Sequence, residues 1–290
     1  MKLVTWNTQW CKGLDGLVSP QRIVKEALKL ADFDVLCLQE IAVNYPSLTG
    51  DSPLDQPQAI ASLLPGFEVV FGAAIDERPN GRSQQFGTLI ASRLPILQVQ
   101  KWMLPSPCET GASHAWMPRV CTVCTVAAPW GPVRVMTTHL EYHSQPQRLV
   151  QAQALRHWHE ESCAQALNCR PMFVDEAGTP YQTKPHTMDA ILCGDFNFES
   201  DSDEYRYLTD HTRTHAMSDS WTIAQTGQPH PPTFRLFDDT YGPDAVSCDF
   251  VFVSESLTSR VQSVVVDTLT QASDHQPVLI VLSDSSLANQ

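Results

Sequence analysis

The sequence predicts an α/β protein in which two β-sheets pack together with helices outside. Short apolar runs rich in Val, Ile, Leu and Phe recur along all 290 residues, while amphipathic, capped segments are few. Polar clusters close or open many of the runs, so acidic, amide and imidazole groups collect at strand mouths.

The strands are predicted in order at Lys2–Trp6, Val35–Leu38, Glu68–Phe71, Gly87–Ala91, Ile96–Trp102, Val120–Val126, Val133–Thr138, Ala190–Cys193, Asp249–Val253, Val261–Val266 and Val278–Leu282. Helices are predicted after Ser19-Pro20, an N-cap followed by proline at the first helical position, and from Gln56 to Leu64. The longest runs from about Pro146 to Leu167, and a short one follows Ser202. Arg170–His186 and Thr226–Asp244 read as long surface loops, the second shaping a substrate entrance. No linker divides the chain, which is expected to form one domain over residues 1–290.

Composition narrows the function. No apolar stretch approaches the roughly 20 residues of a membrane helix, and no export signal is evident, which points to the cytoplasm. Nine cysteines at scattered spacing read as reduced thiols. Cys121 and Cys124 would face opposite sides of a strand, so they are not expected to share a metal. The net charge of −13 arises in the second half: residues 1–150 carry 12 basic and 12 acidic groups, residues 151–290 carry 7 and 20. That balance argues against a processive duplex binder held by many phosphate contacts. It leaves room for a small footprint around one phosphate.

The chemistry lies in six clusters: Thr5-Trp6-Asn7, Leu38-Gln39-Glu40, Thr138-His139-Leu140, Gly194-Asp195-Phe196-Asn197, Cys248-Asp249-Phe250 and Ser273-Asp274-His275. Glu40 emerges from a buried run, which is costly for a carboxylate unless it is paired or metal-bound. Asp195 and Asn197, two residues apart after Gly194, are expected to face one point from an extended segment. Asp249 inside a strand implies a partner, and His275 is the natural one; Asp orienting His fixes the tautomer. Asp274 is then free for a metal or water. The other histidines read as structural or surface groups, and His139-x-x-x-His143 lacks the helix a zinc pair at that spacing needs.

In this order the clusters resemble the endonuclease/exonuclease/phosphatase superfamily, the DNase I-like fold, over Asn7 to His275. Phe86 to Ile96 and Pro118-Arg119-Val120 look like the family's segments, with Thr88 where many members carry Asn. The resemblance implies a four-layer α/β sandwich of two mainly antiparallel or mixed sheets, with the site at one end. It implies Glu40 as principal Mg²⁺ ligand, with Mn²⁺ able to substitute, assisted by Asn7 and Asp274. It implies that Asp195 and Asn197 position the attacking water and that His139 and His275 contact the phosphate. Arg119 is expected either to supplement charge neutralisation or to form a surface ion pair.

The expected function is a Mg²⁺-dependent phosphoesterase, first a nuclease or nucleic-acid end-processing enzyme. A phosphatase or phosphodiesterase for a small or lipid-borne phosphate is the alternative, and a non-catalytic binding module the third. The expected partner is a phosphoester substrate, such as a nucleic-acid end or lesion, with no membrane span and no obligate protein partner.

Overall fold

The computed structural model describes residues 1–50, 54–109, 111, 115–169 and 176–285. Its strands are β1 (Lys2–Asn7), β2 (Val35–Val43), β3 (Glu68–Glu77), β4 (Gln84–Ser92), β5 (Ile96–Met103), β6 (Val120–Ala128), β7 (Gly131–His139), β8 (Ala190–Asp195), β9 (Met217–Asp219), β10 (Asp249–Ser254), β11 (Val261–Val266) and β12 (Val278–Leu282). Its helices are α1 (Pro20–Leu30), α2 (Pro46–Thr49), α3 (Gln56–Leu63), α4 (Gln145–Leu167), α5 (Asp203–Thr209) and α6 (Ser220–Ala224). All eleven expected strands and four expected helices are present. Missing from the sequence reading are β9, α2 and α6, of three to five residues, too short to show a period.

Two six-stranded mixed sheets result, ordered β11-β12-β1-β2-β4-β3 and β5-β6-β7-β8-β10-β9. Each has one parallel pair in its middle, β1 with β2 and β7 with β8, and is otherwise antiparallel. Alternation along the strands builds the layers. Leu3, Val35 and Cys37 face the second sheet and meet Val135, Ile191 and Cys193. Their neighbours Val4, Leu36 and Leu38 turn outward onto Ile23, Ala27 and Ile60 of α1 and α3. On the far side, Val123, Met136, Leu192 and Phe252 pack against Ala152 and Leu155 of α4 and Leu208 of α5. Cys121 and Cys124 fall in different cores, as their spacing requires. Seven of the nine cysteines are buried.

The helices begin where side chains accept from their first turns. Ser19 caps α1, Asp55 caps α3, Ser144 caps α4 and Ser202 caps α5. The surface loop expected at Arg170–His186 falls partly outside the described residues, as does His114.

Candidate active site

The two parallel pairs bring their C-terminal ends to one edge of the sandwich. Asn7 closes β1, His139 closes β7 and Asp195 closes β8, while the antiparallel β10 opens there with Asp249 opposite Asp195.

Glu40 reaches this edge through a β-bulge rather than a strand end, a correction to the sequence expectation. Leu38 pairs with Leu89 and Ile41 with Gly87, so Gln39 and Glu40 together oppose Thr88. Glu40 takes a left-handed φ of 58° and β2 continues to Val43. The bulge sends Gln39 between the sheets, where its Nε2 donates to Thr137 Oγ1 at 2.8 Å and Thr5 Oγ1 at 3.1 Å. Thr88 turns to Thr122, 2.7 Å away.

Asn197 also departs from the expectation. The strand ends at Asp195, and Asn197, at φ 53°, donates its N–H back to Asp195 Oδ1 at 2.9 Å. Convergence of the pair comes from this Asx turn, not from strand alternation. Gly194, at φ 138°, permits the approach: a Cβ there would stand 2.0 Å from the carbonyl oxygen of Thr138.

A cavity of about 180 Å³ lies at this edge, lined among others by Glu40, Arg119, His139, Asp195, Asn197, Asp274 and His275. Asn7 and Asp249 stand behind it. Asn7 Nδ2 donates to Asp195 Oδ2 at 2.8 Å and to Glu40 Oε1 at 3.2 Å. His275 Nδ1 lies 2.8 Å from Asp249 Oδ2, the predicted dyad. His139 Nε2 and His275 Nε2 stand 3.5 and 3.7 Å from Asp195 Oδ2. Arg119, buried, reaches Glu141 Oε2 at 3.4 Å, while its Nε and Nη1 have no acceptor among the described residues.

The charges are crowded and poorly solvated. Burial pushes Asp195 up to about 6 and, with the Asp274 charge, Glu40 up to about 7. Burial also raises Asp274. Burial, then Arg119 and His275, hold His139 well below its ordinary value and so neutral. Burial opposes the charge on His275, but Asp249 and Asp195 outweigh it and raise that imidazole well above its usual range.

Crowded carboxylates of this kind fit a hard divalent cation, which takes oxygen ligands and relieves the repulsion. Asn7 Oδ1 accepts from the Gln9 N–H at 3.1 Å and keeps a second lone pair. Among the described residues, Asp195, Cys248 and His275 place ligand atoms within 4.8 Å of one another. That donor set is mixed, His275 is engaged by Asp249, and burial pushes the Cys248 thiol well up, so it suits such a cation less well.

Several lining residues lay beyond sequence reasoning. Gln9 comes from a three-residue 3-10 turn and Met117, Phe234 and Tyr241 from loops, none with a period to read, although Phe234 and Tyr241 lie in the loop expected to shape an entrance. The histidines set aside are elsewhere where described: His159 meets Arg134 Nη2 at 2.8 Å and His230 meets Asp219 at 2.5 Å. Arg148 is a structural tie, bonded to buried Glu204 at 3.0 Å.

The sequence matches the model of the Endonuclease/Exonuclease/phosphatase family over residues 4–275. The chain belongs to this family. Among solved structures, a mannosyl-6-phosphatase from Bacteroides thetaiotaomicron VPI-5482 is 18% identical at a TM-score of 0.67, over 98% of this chain and 99% of that one. The human Nocturnin catalytic domain is 17% identical at 0.64, over 98% and 93%. A humanized D. rerio TDP2 is 16% identical at 0.61, over 98% of both chains. These likenesses show the fold. No curated protein matches the sequence. As a member of the endonuclease/exonuclease/phosphatase family, the chain is a phosphoester hydrolase, and divalent-metal dependence is general in that family. No helix among the described residues is long and apolar enough to cross a membrane.

Proposed function

We propose that the chain is a Mg²⁺-dependent hydrolase of a compact phosphoester presented end-on. The observation that carries this is the meeting of Glu40, Asp195, Asp274 and Arg119, whose Nε and Nη1 are unsatisfied, on one small cavity. Glu40 and Asp274, with the Asn7 amide, would hold the cation. When bound, Mg²⁺ supplies charge neutralisation for the phosphate and the leaving oxygen.

The chain's own groups do the rest. Arg119 offers its Nε and Nη1 N–H groups to phosphate oxygens. Neutral His139 offers a ring N–H beside Asp195. Asp195, oriented by Asn7 and the Asn197 N–H, accepts the proton of the attacking water. His275, held by Asp249, donates toward the phosphate.

Size and charge favour a small substrate. The cavity joins a groove of about 550 Å³ through Tyr142, Asn197 and Phe234. Glu199, Asp201, Asp203 and Glu204 line that groove with Arg148, Arg206 and Arg235; Glu204 and Asp203 are paired with the first two arginines, so the lining is nearly balanced and slightly acidic. A long polyanion would find no basic track there. A nucleic-acid end or lesion is the second reading, favoured by Trp10, Tyr142 and Tyr241 on the cavity wall, where bases could stack.

The deciding experiment supplies Mg²⁺ or Mn²⁺ and compares sugar phosphates, phosphoinositides, sphingomyelin and an aryl phosphodiester with abasic, nicked and end-blocked DNA and RNA. Asp195→Ala is the control for contaminating activity. Turnover of small phosphoesters, reduced at least about 100-fold in that variant, supports the proposal. Turnover of nucleic-acid ends alone moves the assignment to the second reading. No turnover on any substrate overturns both and leaves the binding module.

A further inference from the structure

We propose that Thr233 and Phe234 form a clip between the two sheets that positions the Asp249–His275 pair. The inference rests on the reading of His275 as a working group of the hydrolase. Asp249 opens a strand of the second sheet, whereas His275 precedes a strand of the first, so their 2.8 Å contact spans the gap between sheets. Residues 233–234 cross the same gap and are hydrogen-bonded on both sides.

On one side the Thr233 and Phe234 N–H groups donate to Val246 O at 2.8 and 3.0 Å, and Val246 N donates back to Phe234 O at 3.1 Å. Thr233 Oγ1 accepts from the backbone N–H of both Cys248 and Asp249, at 3.1 Å each. On the other side Gln276 N donates to Thr233 O at 2.7 Å. Phe234 thereby forms bridges with Val246 and His275 at once.

The side chain completes the clip. The Phe234 ring lies flat on the His275 imidazole, with centroids 4.2 Å apart and planes at 17°. Both residues are buried, Thr233 at 1% and Phe234 at 6% exposure. The Asp249 bond sets the direction of Nδ1, and the stack sets the plane of the ring, leaving Nε2 aimed toward Asp195. A phenylalanine present only to fill volume has no need to lie parallel to a polar ring. Thr233 is equally specific, since its one oxygen satisfies two N–H groups at the start of the acidic partner's strand.

The test uses the full chain with Mg²⁺ and whichever phosphoester it turns over. Phe234→Leu removes the stack and keeps apolar bulk; Thr233→Val removes the acceptor and keeps shape. Each should lower kcat at least about tenfold with KM within about twofold, because a bound substrate meets a misaligned group. Phe234→Tyr and Thr233→Ser should restore most of kcat. Proton NMR supplies a readout apart from activity: the His275 ring protons, shifted upfield by the Phe234 ring in the wild type, should return toward ordinary values in Phe234→Leu. A wild type with no metal-dependent turnover overturns the hydrolase reading and this inference with it. An active wild type whose Phe234→Leu and Thr233→Val variants keep its kcat overturns the inference alone. If Phe234→Leu does not fold, Thr233→Val and its serine rescue decide the matter.

Discussion

Asn7 and Asp195 meet across the two sheets, Asn7 Nδ2 donating to Asp195 Oδ2 at 2.8 Å. The same amide lies 3.2 Å from Glu40 Oε1. One neutral side chain thus holds two carboxylates that repel each other. Asn7→Ala should lower turnover by about 100-fold, the scale of a lost positioning and charge-stabilising group. Asn7→Asp should be worse, since it sets a third carboxylate against the two. Steady-state kinetics of both variants checks the order; a more active Asp variant contradicts the role given to the amide.

Glu40→Gln should weaken metal binding before it affects folding. Wild-type protein at a Mg²⁺ concentration 100-fold above its dissociation constant should gain about 2.7 kcal/mol against unfolding. The variant should gain markedly less at the same concentration. Thermal melts with and without Mg²⁺ read this without any substrate, and equal shifts remove Glu40 from the site.

Arg119 carries two roles that a mutant cycle separates. It pairs with Glu141, and both are nearly buried, at 5% and 2% exposure. Arg119→Met should destabilise by about 3–5 kcal/mol, because Glu141 is left as an uncompensated buried charge. Arg119→Met with Glu141→Gln should recover much of that stability but not the activity, since the donors to phosphate remain missing. Full recovery of both would reduce Arg119 to a structural ion pair.

Gly194→Ala should be among the most damaging small substitutions. The residue sits at φ 138° and the added methyl would overlap the Thr138 carbonyl at 2.0 Å. β7 and β8 must part at the point that delivers His139 and Asp195, so a loss of several kcal/mol is expected in urea unfolding. A loss under about 1 kcal/mol would show that the parallel pair yields easily.

Acid stability should depend on His159. Burial, then the neighbouring Arg134 charge, push this imidazole down to about 3. The unfolded chain therefore binds the proton first. Between pH 6.5 and about 3 this group's contribution to stability falls as pH falls, by about 1.4 kcal/mol per pH unit. His159→Gln, which keeps an acceptor for Arg134 but does not titrate, should show a shallower decline from pH 6.5 to 4 in urea unfolding. Identical slopes would contradict this.

Much was legible in the sequence because strands and caps are local. The eleven expected strands stand out as β-branched and apolar runs, and Ser19 and Ser202 cap the helices they precede. The Asp249–His275 contact was readable too, since an acid inside a buried strand demands a partner. Boundaries were less so. β2 runs past Leu38 because a bulge absorbs Glu40, and a bulge leaves no mark on the apolar pattern.

Residue chemistry and period thus determined the two-sheet sandwich and the identity of its polar strand mouths. Tertiary structure alone decided how those mouths meet: the bulge that turns Glu40 outward, the Asx turn at Asn197, the Asn7 amide shared between sheets and the Phe234 ring laid on His275. Each of these pairs groups dozens to hundreds of residues apart or depends on a left-handed backbone angle. Such geometry is set by packing between elements, which no local run of side chains encodes by itself.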